Sequence, residues 1–153
     1  MNDWRRWVTR VLLAAVPVLA ALVIAGIQIP GSTVVPWQPN MLDLGVYQRV
    51  GGLVLSGGDI FDAQGQLPWI YPGFAALLTV PFAFVPFHLA AALWLVLCTA
   101  ALAAILYRLG HTGWRLSLLT TAAIVLVQPV RDTLGFGQLA IFLVAAAVLD
   151  SMP

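Results

Sequence analysis

Residues 42–72 read LDLGVYQRVGGLVLSGGDIFDAQGQLPWIYP and form a polar island between stretches rich enough in hydrocarbon to sit in lipid. Three of the six acidic residues, Asp43, Asp59 and Asp62, fall inside it. A carboxylate held beside a bilayer is costly unless it stays wet or is paired, so an acidic patch flanked by aromatics at that depth marks a candidate functional site. The fold follows from what lies on either side.

Upstream, Val11 to Ile29 is an apolar run of 19 residues that rises about 28 Å as a helix, with Pro17 a candidate kink, close to the roughly 30 Å of a hydrocarbon core. We read it as an uncleaved spanning anchor. Arg5, Arg6 and Arg10 precede it, which places the N-terminus in the cytoplasm, and Trp4 and Trp7 suit the interface. Pro30-Gly31-Ser32 ends this helix, and Asn40 offers an N-cap for an amphipathic surface helix from Asp43 to about Leu55. On that helix Asp43 and Tyr47 are one turn apart, with Leu44, Gly51 and Leu55 on a neighbouring stripe.

Downstream, the polar loop through Asp62, Gln64 and Gln66 leads to Trp69-Ile70-Tyr71-Pro72, an interfacial aromatic belt. Gly73 to Val85 is apolar but interrupted by Pro81 and only about 20 Å long as an α-helix, so it reads as an interfacial or re-entrant helix. Phe74, Phe82 and Phe84 would then face lipid or neighbouring helices. Leu89 to Tyr107 is a full span, and the loop Arg108 to Arg115 should be cytoplasmic. Leu116 to Val130 returns to the outer side, where Gln128 to Gln138 forms a second polar cluster. Leu139 to Leu149 begins a fourth span.

The bulk composition agrees with this map. Of 153 residues, 61% are hydrophobic and 8% charged, and the mean hydropathy of +0.97 lies far outside soluble usage. The expected fold class is all-α, a polytopic integral membrane protein with about four spanning helices. We treat residues 1–153 as a single membrane domain, with residues 30–87 as a first outer loop carrying surface helices. A net charge of +1, with no basic and aromatic interleaving, gives no nucleic-acid signal. Cys98 is alone in an apolar run, and His88 and His111 fall on opposite sides, so neither a metal site nor a cofactor is expected.

Chemistry must therefore come from the two outer clusters. The macrodipole at the start of the surface helix should lower the pKa of Asp43 and leave it ionised, fit to act as a general base toward a hydroxyl. A helix-capping Asp is the structural alternative. Arg131, beside Gly135-Phe136-Gly137-Gln138, offers a fixed cation next to accessible backbone, which suits a phosphate at the membrane surface. An Arg131 and Asp132 pair at a helix end is as good a reading.

Four ordered stretches carry a resemblance: Asp43 to Tyr47 in the first outer loop, Gly57-Gly58-Asp59-Ile60-Phe61, Trp69 to Phe74, and Pro129 to Gln138 followed by the apolar run to Asp150. In that order they resemble the N-terminal part of glycosyltransferase family 87 proteins, polyprenyl-phosphate-mannose-dependent mannosyltransferases of the GT-C fold. The resemblance implies a membrane enzyme of the plasma membrane whose first outer loop presents a catalytic Asp, here Asp43, to a lipid-linked sugar. The acceptor hydroxyl, on a lipid or glycan, would lose its proton to Asp43 and attack the anomeric carbon of polyprenyl-phosphate mannose with inversion. Substrate-binding roles would fall to Tyr47, Asp59, Tyr71, Arg131 and Gln138. Such enzymes run to several hundred residues with more spans, so the resemblance leaves open that a second polypeptide supplies further helices. A non-catalytic membrane scaffold that keeps the fold is the alternative function.

Overall fold

The structure is a computed structural model that describes residues 3–61 and 67–151. Asp62, Gln64 and Gln66 of the expected polar loop lie outside the described residues. The element order is α1 (Asp3–Ala25), α2 (Leu42–Ser56), a 3₁₀ helix η1 (Gly73–Phe84), α3 (Phe87–Arg108), α4 (Gly113–Leu126), α5 (Gln128–Phe136) and α6 (Ala140–Ser151). Beyond an isolated bridge between Thr33 and Gln38, the described residues form no strand pairing. The protein is an all-α membrane protein.

Two helices, α1 and α3, are long and apolar enough to cross a bilayer; α4 and α5 meet that test only as a pair, bent by 79°. The apolar α6 has 12 residues and rises about 18 Å. Of the about four spans expected, the described residues thus supply two full-length helices and, counting the bent pair as one, a third, while α6 falls short of that length.

Several boundaries differ from the sequence reading, each for a physical reason. α1 begins at Asp3 rather than Val11, because nothing between Asp3 and Arg10 breaks a helix and the Thr9 hydroxyl donates to the Arg5 carbonyl within it. It stops at Ala25 because the chain must turn at Gly26, where a Cβ would meet Val34 Cγ2 at 2.9 Å. The following loop folds back on α1, its Trp37 indole donating to the Leu22 carbonyl at 3.1 Å. Asn40 does not cap α2. Its side chain donates to the Pro30 carbonyl and its backbone N–H to Ser32 Oγ, and the N-cap position is Met41, a buried residue held at φ 34°. A left-handed conformation at a non-glycine residue costs free energy and is tolerated where the surroundings enforce it.

α2 and η1 pack as a pair. The closest approach is at Gly51, where a Cβ would lie 2.5 Å from the Thr79 carbonyl oxygen and 3.2 Å from Val80 Cα. Of the expected stripe, Leu44 and Gly51 face inward and Leu55 is exposed. Gln48 closes the end of η1, its amide donating to the carbonyls of Phe82 at 3.0 Å and Val85 at 2.7 Å. At about 2.0 Å per residue η1 is roughly 24 Å long, still short of a hydrocarbon core. Phe74 and Phe84 are exposed, while Phe82 packs edge-on to Trp94. Gly51→Ala should lower stability by about 1–3 kcal/mol, because backbone rather than a movable side chain occupies the space. Thermal unfolding in detergent reads this directly, and an unchanged midpoint would refute the close packing.

α1 and α4 pack side by side and run parallel. The Ser117 hydroxyl donates to the Leu13 carbonyl at 2.7 Å near one end, and Gln28, just past α1, reaches Asp132 of α5 at the other. α3 packs against α6 through Trp94 and Phe142, whose rings lie 5.2 Å apart. This arrangement carries the polar cluster of α5 back beside the start of α2.

Candidate functional site

Thr133 organises the end of α5: Gly137 and Gln138 both donate backbone N–H bonds to its carbonyl. Gly137 takes φ +75°, a conformation that only glycine adopts cheaply. It must also be small, since a Cβ there would lie 2.9 Å from Leu44 Cβ and 3.2 Å from the Leu44 backbone nitrogen. The end of α5 is thereby pressed onto the first turn of α2. That contact delivers the side chain of Gln138 to the neighbourhood of the Asp43 carboxyl, where its amide favours the charged form.

Asp43 is half-buried. Its pKa is raised above the ordinary aspartate value because desolvation outweighs the stabilising hydrogen bond from Gln138. This corrects the expectation of a pKa lowered by the helix macrodipole. The dipole is favourable at the end of an isolated, hydrated helix, and here packing against α5 removes water from the same carboxyl.

One turn on, Tyr47 is only 2% exposed and forms the centre of an aromatic cluster. Its ring lies 6.4 Å from Trp69, 6.2 Å from Tyr71 and 5.6 Å from Trp94, all within the 4.5–7 Å range of favourable aromatic pairs. The hydroxyls of Tyr47 and Tyr71 are 3.4 Å apart, one donating to the other. Burial first, and the bond to Tyr71 second, push the Tyr47 pKa upward, so it stays a neutral phenol and cannot serve as the base. The cluster borders a cavity of about 190 Å³ lined by Tyr47, Trp69, Tyr71, Phe82, Trp94 and Phe142 among others. That is below the roughly 300–1,000 Å³ of drug-sized sites and suits one ring-sized or chain-like moiety. The buried indole N–H groups of Trp69 and Trp94 have no partner among the described residues. Arg49 holds the aromatic segment in place by donating to the Leu67 carbonyl.

Arg131 and Asp132 do not pair. Arg131 Nε donates to Gln28 Oε1 at 3.0 Å, and Gln28 Nε2 donates to Asp132 Oδ1 at 2.7 Å; Gln128 donates to the same oxygen at 2.8 Å. Sequence reasoning missed Gln28 because it closes an apolar run and carries no motif. Asp59, by contrast, sits beyond the far end of α2, about 20 Å of helix away from Asp43. It is exposed and, among the described residues, accepts only the local Phe61 N–H at 2.8 Å. The structure therefore gathers Asp43, Tyr47, Tyr71 and Gln138, holds Arg131 at the neighbouring α1–α5 junction, and leaves Asp59 apart. A larger cavity of about 450 Å³ lies among α1, α3 and α4 near Arg10 and Ser117, and no candidate residue lines it.

A sequence model of Glycosyltransferase family 87 matches residues 69–153. The chain belongs to glycosyltransferase family 87. This family 87 chain is 30% identical to the polyprenol-phosphate-mannose-dependent alpha-(1-2)-phosphatidylinositol mannoside mannosyltransferase of Mycolicibacterium smegmatis, over 89% of this chain and 37% of the relative. It is 32% identical to the polyprenol-phosphate-mannose-dependent alpha-(1-2)-phosphatidylinositol pentamannoside mannosyltransferase of Mycobacterium tuberculosis, over 86% of this chain and 34% of the relative. A phosphatidylinositol pentamannoside mannosyltransferase of Mycolicibacterium smegmatis is 34% identical, over 74% and 31% respectively. The family 87 chain thus spans about a third of the length of the curated relatives it matches. No solved structure matches it.

Proposed function

We propose that this chain carries the catalytic base and part of the substrate site of a mannosyltransferase that uses polyprenyl-phosphate mannose. The observation that supports this reading best is the packing of Gly137 on Leu44, which brings Gln138 beside Asp43 and joins the two polar clusters into one site. The half-buried Asp43 takes the proton of an acceptor hydroxyl as that oxygen bonds to the anomeric carbon, and the polyprenyl phosphate departs with the electrons of the broken glycosyl bond. Arg131 holds the phosphate, and Tyr47 and Tyr71 offer aromatic faces and hydroxyls to the sugar or the prenyl chain. The relatives' names point to an inositol-phospholipid mannoside as the acceptor class.

The N-terminus is cytoplasmic in this proposal, residues 30–87 form the first outer loop, and the site faces the outer side of the plasma membrane. The test is mannose transfer in membranes that contain the protein, with labelled polyprenyl-phosphate mannose. Transfer that is lost on changing Asp43 supports the enzyme. No transfer by the unaltered protein favours the scaffold.

A pH profile tests the role of Asp43 separately. A general base works only when deprotonated, so the rate should fall on the acid side through a pKa above the usual aspartate range. Gln138 stabilises the charged form. Gln138→Leu should therefore move the acid limb to higher pH, and a limb that stays put or moves down would contradict the contact.

A further inference from the structure

Gln28 sits in a space built for it. A Cβ on Gly135 would lie 2.8 Å from Gln28 Cγ and 2.9 Å from its Cβ, so only a glycine at that point of α5 admits the side chain. Its amide is oriented by two chemically different partners. The oxygen accepts from the Arg131 guanidinium and the nitrogen donates to the Asp132 carboxylate, across 103 and 104 residues of chain. Asp132 is thus satisfied by two neutral amides, from Gln28 and Gln128, and not by the cation beside it in sequence. The two terminal nitrogens of Arg131 have no hydrogen-bond partner among the described residues.

We propose that Gln28 is a positioning residue that fixes the Arg131 guanidinium through its Nε and holds it apart from Asp132, keeping its terminal nitrogens for a lipid-borne phosphate. The inference rests on the reading of Arg131 as the phosphate holder. Without the amide, a guanidinium and a carboxylate flank the same half-buried gap, and their attraction draws Arg131 into an internal ion pair. Lost preorganisation and a neutralised cation then act in the same direction. Both weaken phosphate recognition without touching the apolar contacts to the rest of the lipid.

The experiment measures binding to the solubilised protein of polyprenyl monophosphate against polyprenol, and of phosphatidylinositol against diacylglycerol. In each pair the ratio of affinities isolates the phosphate. Arg131→Ala should abolish the phosphate advantage for at least one pair, and which pair is affected assigns the site to the donor or the acceptor lipid. Gln28→Met, which keeps length and packing, should reduce the same advantage about tenfold while leaving the phosphate-free lipid unchanged. Adding Asp132→Asn to Gln28→Met should restore most of it, because the competing carboxylate charge is gone. A purely structural Gln28 would weaken both members of a pair, and Asp132→Asn would deepen the loss; either result overturns the proposal. If Gln28→Met does not accumulate, Gln28→Glu keeps the shape and neutralises Arg131, and an undiminished phosphate advantage in that variant is equally fatal. An Arg131→Ala protein with full phosphate advantage in both pairs overturns the parent reading together with this one, whereas an effect of Arg131→Ala with none from Gln28 overturns this one alone.

Discussion

Asp43→Asn should lower mannose transfer by about 10²–10⁴-fold, the usual contribution of a positioned general base. The loss should fall on the turnover rate, and the amount of folded protein should not change. Asn has the shape of Asp and can still bond to the Gln138 amide, so the contact between α2 and α5 survives while the proton acceptor is lost. Initial rates with labelled donor, normalised to protein in the membrane, give the comparison. A variant that retains half of the rate would show that the half-buried carboxyl is a structural feature of the α2 entry and that the base lies elsewhere.

Gly137→Ala should be the most damaging small substitution in the described chain, lowering stability by about 2–5 kcal/mol, because two costs add. A left-handed conformation with a Cβ costs about 1–2 kcal/mol, and forcing a methyl into occupied space adds about 1–3 kcal/mol. The first applies because φ is +75°, the second because Leu44 Cβ and N would lie at 2.9 and 3.2 Å. Gly57 supplies the control, since it ends α2 at φ +69° and a Cβ there would meet nothing within 4 Å. Gly57→Ala should show the conformational cost alone. Unfolding midpoints of the two variants separate the terms, and equal losses would mean that α5 does not press on α2 at Gly137. The Gly137 variant should also lose transfer activity beyond its loss of stability, because Gln138 is carried by the same turn.

The helices were legible in the sequence where a long apolar run met a clear breaker. Leu89 to Tyr107 becomes Phe87–Arg108, and the surface helix from Asp43 becomes Leu42–Ser56. The polar cluster from Gln128 was harder, because Gln128, Arg131 and Asp132 hide the apolar face. Pro129 at the start of α5 and Gly137 at its end were the available helix signals. The 3₁₀ geometry of η1 had no local signature, since its end is closed by Gln48 from another helix. Within the site, Asp43, Tyr47 and their one-turn spacing could be read directly. The environment of Asp43 could not, because the segment that desolvates it lies far along the chain and leaves no trace in the local pattern. Asn40 failed as a cap for a similar reason: its side chain is engaged by Pro30. Gln28 had no pattern to announce it and acquires its meaning only from Arg131 and Asp132.

The meeting of Gln138 with Asp43 also has a consequence in time. Ribosomes add about 5–20 residues per second, and 95 positions separate the two side chains, so roughly 5–20 s pass between their syntheses. Throughout that interval the newborn α2 carries Asp43 without Gln138 beside it. The site is complete only when α5 docks on α2, so a nascent chain arrested before that point would hold every atom of Asp43 without its partner Gln138.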